Sequence, residues 1–365
     1  MAAADVDAIS ASARIGKIRD QFIVDLRQGR IRGTSYHVAQ ATVNFMRKLV
    51  ANCKYDTYDE LLTLLKTEGR AVTAAEPTEF VVGNMVLRIL KLVREEQTRL
   101  ILGSDDVALA DPADALHKLW KAPEVAQKEI ATKQLRKATI ETINEFLQEM
   151  ENSRDNISSQ AADHILDGDV VFTFGQSVTV DAFLKVAATK RRFTVFIGEN
   201  APSCNGKALL ESLKSDEKCS WAELRLVEDT DVLPSMPQVT RVVVGAVAVL
   251  ADGGFVASAG TLTLCLAAKR HAIPVIVCAA FYKLTPKFLS ANDQEQFNKL
   301  LSPSSVLPFS QASSYGGADV ICPLFDYIPP ELVTLYIPQT FGIAPSHVYR
   351  LLGEYFHPED IEHNL

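Results

Sequence analysis

Cys204 is the side chain with the clearest potential for covalent chemistry in this sequence. It follows a short apolar run that ends at Gly198, and it precedes a segment with helical spacing. A thiol near the amino terminus of a helix loses its proton more easily, and the thiolate is the nucleophilic form. No histidine or carboxylate is an evident partner for it, so the residues alone do not favour a catalytic role.

The loop that carries Cys204 partly resembles a phosphate-binding loop. Residues 201–208 have the spacing AxxxxGKA, but the first glycine and the final serine or threonine are missing. A phosphate-binding loop uses that hydroxyl to hold magnesium. The dinucleotide fingerprint GxGxxG is also absent after every apolar run. We therefore predict a strand-to-helix turn here, with Lys207 in solvent.

Metal and disulfide sites are not predicted. The cysteines include no CxxC pair, so we expect neither a zinc ribbon nor a redox site, and we expect reduced and mostly buried thiols. His347, His357 and His363 lie near the end of the chain at spacings unlike a zinc motif, which favours surface histidines. The six cysteines are Cys53, Cys204, Cys219, Cys265, Cys278 and Cys322.

Helical spacing dominates the chain up to about Leu166. Apolar residues from Tyr58 to Leu65 recur at i, i+3, i+4 and i+7. Thr57 and Glu60 provide a capping box before them, and Gly69 is expected to end this helix. A longer helix is expected to begin near Lys128, whereas residues 103–123 have no clean period and are expected to include a loop.

Glu141 and Glu145 share one face of that longer helix. They are four residues apart, and Lys137 lies one turn before Glu141. Carboxylates at this spacing beside a lysine are typical of a solvated helix face. A role in binding a partner needs support from outside this pattern.

From Val170 onward, short continuous apolar runs alternate with helical segments. Runs that are apolar on both faces and separated by helices indicate a parallel sheet with helices on each side. Ligands of such sheets bind beyond the carboxyl ends of the strands, so the loops after the runs form the candidate pocket. The runs are VVFTF (170–174), FTVFIG (193–198), ELRLV (223–227), RVVVG (241–245) and PVIVCA (274–279).

The fold class is therefore α/β. We expect a helical amino-terminal domain over residues 1–166, with 1–12 disordered, and a Rossmann-like, doubly wound, mostly parallel sheet domain over residues 167–365. Residues 285–317 are expected to form a long loop with one short helix. The 47% apolar content allows a large core.

Composition also restricts the class of function. The net charge of −8 gives no excess positive field for binding nucleic acid directly. The start of the chain lacks a secretory pattern and the longest apolar runs are too short to span a membrane, so we expect a cytoplasmic protein without membrane contact.

Four long motifs carry a resemblance to a known family. Residues 73–96, 198–206, 259–279 and 322–337 are similar to the family that joins the alpha, beta and delta subunits of initiation factor 2B to methylthioribose-1-phosphate and ribose-bisphosphate isomerases. The similarity extends from about Ile15 to Asp360. The ending PSHVYRLLGEYFHPED resembles one subunit type in particular.

The resemblance implies that the catalytic groups of the isomerases are missing here. The family's cysteine, aspartate and arginine correspond to Gly175, Val247 and Ala201, and Glu199 stands beside Ala201 in the same degenerate pocket. None of the three replacements can transfer a proton or bind a phosphate. The implied function is a regulatory, non-catalytic subunit without a cofactor. A sugar-phosphate isomerase and a metabolite-binding sensor are the alternatives.

The resemblance also implies partners. They are the alpha, gamma, delta and epsilon subunits of initiation factor 2B, and the alpha subunit of initiation factor 2, whose phosphorylation the helical domain would sense. The family's partner-facing helix matches residues 133–150, which assigns Glu141 and Glu145 to partner binding. The apolar stripe from Val348 to Tyr355 is expected to lie at a subunit interface.

Overall fold

The computed structural model places a region of α-helices in the amino-terminal half of the chain. The described residues are 2–31, 33–102, 132–219, 221–290, 292–311, 316–317 and 319–364. Residues 103–123 and the expected helix start near Lys128 lie outside them. The helices of this region are α1 (Ala2–Arg27), α2 (Ser35–Asn52), α3 (Tyr58–Ala75), α4 (Phe80–Leu102), α5 (Thr132–Ser159) and α6 (Ala161–His164).

The start of α3 follows the sequence, but its end does not. The Thr57 hydroxyl accepts a hydrogen bond from the Glu60 N–H at 3.3 Å, and the Glu60 carboxylate accepts from the Asp56 N–H at 2.9 Å. The expected end at Gly69 is wrong, because the helix continues to Ala75. Gly69 serves close packing instead, since a Cβ there would lie 2.4 Å from Cγ1 of Val86 on α4.

Helix α1 begins at Ala2, in the segment that was expected to be disordered. Alanine has the highest intrinsic helix propensity, and this segment is rich in it. The side chains of α1 that pack on α2 and α3 lie further along, and they include Ile15, Phe22 and Leu26. The ring of Phe22 stacks on that of Phe45 at 4.7 Å.

A six-stranded parallel sheet forms the second region. The strand order is β3-β2-β1-β4-β7-β9, and the order reverses between β1 and β4. Every neighbouring pair is parallel, with Val170 opposite Thr194 and Val242 opposite Val275. The strands are β1 (Val170–Phe174), β2 (Thr194–Gly198), β3 (Glu223–Val227), β4 (Arg241–Gly245), β7 (Val275–Cys278) and β9 (Leu335–Ile337).

Helices cover this sheet as the alternating pattern predicts. They are α7 (Val178–Ala188), α8 (Asn205–Lys214), α9 (Val232–Ser235) and α10 (Thr261–Arg270). Strand β3 differs from its prediction, since only Val227 among its residues is buried. It is an edge strand, so its side chains face water where those of β1 and β4 face the core.

A second, antiparallel sheet was not predicted. It consists of β5 (Ala248–Val249), β6 (Phe255–Ser258) and β8 (Phe325–Ile328), in the order β5-β6-β8. The chain leaves β4 at Gly245 and turns into β5, so one continuous apolar stretch supplies two strands in different sheets. The Asp326 carboxylate on β8 accepts from the N–H groups of Gly260 and Leu262, and it thereby caps α10.

Two further helices, α12 (Val348–Tyr355) and α13 (Pro358–Asn364), end the chain, after the short α11 (Gln294–Phe297) in the long loop. The expected subunit interface on α12 is wrong. Val348, Leu352 and Tyr355 are at most 7% exposed, because they pack within the chain's own core. That core is continuous through the helical region and the parallel sheet.

Candidate functional site: the cleft at the strand ends

A cleft of about 760 Å³ lies at the carboxyl ends of β1 and β4. This is the point where the strand order reverses, which is where doubly wound sheets bind ligands. Its opposite wall comes from the start of α2 and the end of α5, so both regions contribute to it. The rings of Tyr36 and Tyr282 meet across it at 6.4 Å. Polar groups in the lining include His37, Glu151, Arg154, Gln176, Ser177 and Lys283.

Gly175 follows β1 directly beside this cleft. Its φ is +69°, in the left-handed region that favours glycine. A Cβ at this position would lie 2.7 Å from Nδ2 of Asn200 and 3.5 Å from Oγ of Ser258. Asn200 is 5% exposed, so it has little room to withdraw. The fold therefore opposes any side chain at position 175.

The loop after β2 brings Glu199 and Ala201 to the same edge of the sheet, but neither residue lines the cleft. The Asp229 carboxylate fixes the loop by accepting from the N–H groups of Asn200 and Ala201, at 2.9 and 2.7 Å. Ala201 is exposed and offers no group for a phosphate. The structure thus joins this loop to Gly175 through Asn200, without completing a phosphate site.

Lys207 is exposed to solvent, as the sequence predicts, and it also forms an ion pair. Its Nζ is 2.7 Å from Oε1 of Glu199. The hydrogen bond from Lys207 holds the pKa of the Glu199 carboxyl below its usual value. Cys204 is half-buried at the N-cap of α8, and its φ is +51°. The Glu199 carboxylate beside this thiol is thus already paired with Lys207.

Val247 lines the cleft, as its place after β4 predicts. Its N–H donates to the carbonyl of Val256 at 2.7 Å, so its backbone belongs to the edge of the second sheet. An aliphatic side chain can neither accept nor deliver a proton. Of the four residues assigned to the degenerate pocket, Val247 therefore lines the cleft and Gly175 lies between two lining residues, while Glu199 and Ala201 lie on the neighbouring loop.

Lys283 is a cleft residue that the sequence-based reasoning missed. It is 8% exposed, and its Nζ donates to the carbonyl of Ala246 at 2.6 Å. Among the described residues it forms no ion pair. Burial lowers the pKa of this amine to about 8, although the charges of Cys278 and Glu79 oppose the shift. The available signal was its position shortly after β7, at the carboxyl edge of the sheet.

Asn84 of α4 positions the segment that carries Lys283. Its side chain is 2% exposed and donates to the Tyr282 carbonyl at 3.2 Å and to Oγ1 of Thr285 at 3.0 Å. A buried amide is costly to leave unpaired, so these bonds fix the loop on the helical region.

Glu141 and Glu145 are exposed and lie outside the cleft. The Glu141 carboxylate is 3.8 Å from Nζ of Lys137. The same helix, α5, contributes Met150 to the cleft nine residues later, a rise of about 14 Å along its axis. One helix thus presents an acidic outer face and a wall of the cleft.

Other kinds of site have no support within the described residues. They contain no group of three or more metal-binding side chains placed around one point. The helices described are too short or too polar to cross a membrane. Five of the six cysteines are buried, Cys204 being the half-buried one.

Comparison with known proteins agrees with this architecture. A translation initiation factor eIF2B subunit beta from Dictyostelium discoideum is 34% identical over 378 aligned positions, covering 94% of this chain and 96% of the relative. The crystal structure of eIF2B beta from Chaetomium thermophilum has a TM-score of 0.73 and 26% identity, covering 96% of this chain and 94% of that one. A chain of the tetrameric eIF2B-beta2-delta2 complex from C. thermophilum has a TM-score of 0.68 at 26% identity, with 95% of each chain covered.

The family model described as "Initiation factor 2 subunit family" matches residues 31–345. This range contains most of the helical region and all nine strands named above, and the beta subunit from Dictyostelium discoideum aligns over 94% of the chain. The chain belongs to the initiation factor 2 subunit family.

Proposed function

We propose that this chain is a regulatory, non-catalytic subunit of the translation initiation factor 2B guanine-nucleotide exchange complex, of the beta type. The observation that carries the proposal is similarity along nearly the whole chain to a beta subunit, at 34% identity over 94% of its length. In this role it helps to bind initiation factor 2, senses phosphorylation of the alpha subunit of that factor, and acts in the cytosol.

Exposed apolar side chains support the assembly with other subunits. They lie between Phe288 and Tyr349, and they are 57% to 72% exposed. Large exposed apolar groups mark protein interaction sites. The rings of Phe288 and Tyr349 contact each other at 6.5 Å. We name the contacting pair Phe288 and Tyr349 the apolar face; the other exposed apolar residues of this part of the chain are Leu300, Val306, Phe309, Ile321 and Phe341.

The likeness to a chain of a beta–delta tetramer makes a delta-type subunit the first partner to test. The alpha, gamma and epsilon subunits complete the proposed complex. The expected result is that Phe288→Asp with Tyr349→Asp abolishes co-purification with the delta subunit. Leu266→Asp, at a leucine that is 53% exposed on α10, is the control. Equal co-purification of all variants would remove the apolar face from this interface.

The acidic face of α5 is the proposed contact for the alpha subunit of initiation factor 2. Glu141 and Glu145 are exposed there and free to face basic residues of that subunit. A phosphate on the partner adds about 1.5 to 2 negative charges, so it would be repelled by these carboxylates and would change the partner's pose.

Charge reversal tests this contact. Glu141→Lys with Glu145→Lys should weaken binding of the unphosphorylated partner severalfold, mainly by slowing association, because surface charge steers encounter. Glu211→Lys with Glu217→Lys makes the same change of net charge on exposed positions elsewhere. Unchanged affinity for both forms of the partner would assign Glu141 and Glu145 to the solvated face.

The absence of isomerase activity is part of the proposal. Gly175, Val247 and Ala201 carry no proton donor, base or phosphate anchor, and the Asn200 contact opposes a side chain at 175. A positioned acid or base contributes about 10² to 10⁴ in rate, so losing both removes useful turnover. Purified chain should not convert methylthioribose 1-phosphate or ribose 1,5-bisphosphate. Turnover that disappears in Cys204→Ala would identify an enzyme instead.

A metabolite-binding sensor is the second candidate, and the open cleft favours it. A space of about 760 Å³ is large enough for a small ligand. A thermal shift screen with sugar phosphates and nucleotides separates the two candidates. A compound that raises the Tm of the wild type, but not that of Lys283→Met or Arg154→Met, would support the sensor. If no compound raises the Tm, the regulatory subunit without a ligand is the remaining candidate.

A further inference from the structure

The last two helices cross from the sheet to the helical region. The chain leaves β9 at Ile337 in the parallel sheet, and α12 packs beside the segment after β7, where the rings of Phe281 and Tyr355 lie 5.9 Å apart. Helix α13 then lies on α4 of the helical region. We name residues Val348–Asn364 the strap.

A row of cations on α4 holds the strap. Arg88, Lys91 and Arg94 follow at i, i+3 and i+6, so they share one side of the helix. Arg88 donates to the carbonyl of Tyr355 at 3.2 Å, and Lys91 donates to the carbonyl of Glu354. These carbonyls end α12, where a helix carries partial negative charge and where its carbonyls lack partners within the helix.

Aromatic rings enclose Arg88. Its guanidinium lies 4.6 Å from the ring centre of Tyr355 and 5.7 Å from that of Phe146 on α5. The contact therefore joins the strap to two helices of the helical region. Phe356 is completely buried beside Tyr355, so the strap adds apolar packing to the charge contacts.

Asp360 is the centre of the strap's attachment. Its side chain is 0% exposed, and its carboxylate accepts from Nε and Nη2 of Arg94 at 2.9 and 2.8 Å. Nζ of Lys66 on α3 lies 2.8 Å away. We name these three residues the clasp. Although burial works in the opposite direction, hydrogen bonds from both cations hold the pKa of Asp360 below its usual value.

A neighbouring carboxylate provides a natural comparison. Glu359 also contacts Arg94, at 3.0 Å, but its side chain is 67% exposed. Exposed ion pairs contribute little to stability, whereas removing one member of a buried pair leaves an uncompensated charge. The same cation thus has one partner that matters for folding and one that does not.

We propose that the strap makes the helical region and the parallel sheet unfold as one cooperative unit, and that the clasp is what fastens it. The strap is covalently part of the sheet region, is bound to α3 and α4, and is linked to α5 through Arg88. Opening the helical region alone therefore requires breaking the clasp and exposing Tyr355 and Phe356. With the clasp lost, the helical region opens at a lower free energy than the sheet.

Hydrogen–deuterium exchange of the full-length chain, measured by peptide mass spectrometry, tests this proposal. In the wild type, the slowest amides of α4 and of β4 should exchange at the same rate. In Asp360→Asn, the amides of α3 and α4 should exchange at least tenfold faster than the slowest amides of β1, β4 and β7 in the same variant, because the helical region then opens without the sheet.

Two further variants keep the test decisive. In Glu359→Gln, the exchange rates of every region should stay within twofold of the wild-type rates. Lys66→Gln removes one of two cations and should accelerate exchange in α4 by an intermediate factor, and it carries the test if Asp360→Asn does not fold. Equal exchange rates for α4 and β4 within Asp360→Asn, or acceleration confined to Val348–Asn364, would overturn the proposal.

Discussion

Gly175 shows how a single residue closes a site. The position needs a positive φ, and its missing side chain leaves room for Asn200. A cysteine placed there would be strained and would displace a buried amide. The surrounding contacts thus oppose a side chain at this position, in addition to the backbone conformation.

Alanine at Gly175 measures this constraint. Gly175→Ala should destabilise the chain more than Gly168→Ala, by about 1 kcal/mol or more, because only the former adds an overlap. Gly168 has a similar φ of +82° and no atom within 4 Å of its ideal Cβ. Urea unfolding gives both free energies. Equal losses would show that Asn200 moves away without cost.

Lys283 predicts a dependence of stability on pH. Burial lowers its folded pKa to about 8, below its unfolded value. Between these values the unfolded chain binds more protons, so the free energy of unfolding rises with pH through this interval, by about 3 kcal/mol in total. In Lys283→Met that contribution disappears. The free energy of unfolding of the variant minus that of the wild type should therefore decrease from pH 7.5 to pH 10.

Urea unfolding at several pH values checks the prediction, with Lys190→Met, at an exposed lysine, as the matched control. Parallel profiles of wild type and Lys283→Met between pH 7.5 and 10 would mean that Lys283 stays charged in the folded chain.

At the scale of elements, the packing of α3 on α4 depends on Gly69. Gly69→Ala should cost about 1–3 kcal/mol, since its Cβ would overlap Cγ1 of Val86, a short and rigid side chain. Gly16→Ala on α1 meets only Nη2 of Arg19 at 3.9 Å, and it should gain about 0.5–1 kcal/mol. Thermal unfolding distinguishes them, and a stabilising Gly69→Ala would contradict the close contact.

The elements themselves were largely predictable from the sequence. Continuous apolar runs located β1, β2, β4 and β7, because strands buried on both faces need no alternation. The run 223–227 also located β3, but its expected burial on both faces was wrong, because composition does not show that a strand lies at the edge of a sheet. The second sheet was missed because Ala248–Val249 is too short to show a period and continues an apolar run from β4.

The site was predictable in its location and less so in its contents. Strand ends placed Gly175 and Val247 at the cleft, but Lys283 and Asn84 depend on contacts between segments some 200 residues apart. The stripe on α12 was correctly identified as apolar. It was predicted to be buried by another subunit, but it packs in the core of its own chain. The spacing of apolar residues shows which side of a helix is buried, but it does not show which residues pack against that side.

At the scale of the whole molecule, partner binding should add to stability. A ligand that binds only the folded state raises the free energy of unfolding with its concentration. The Tm of this chain should therefore increase as a delta-type subunit is added, and Phe288→Asp with Tyr349→Asp should remove the increase. A Tm that is independent of added subunit would contradict the proposed assembly through the apolar face.

The exposed edge of strand β3 affects how readily the unassembled chain aggregates. Its outer edge presents unpaired backbone groups to solvent, and such an edge can recruit a strand from a neighbouring molecule. Charged side chains at Glu223 and Arg225 accompany that edge, and they pair with each other. Stacking of two such edges would force these charges together out of water. We therefore expect the charged side chains of β3 to oppose edge-to-edge aggregation of unassembled chains.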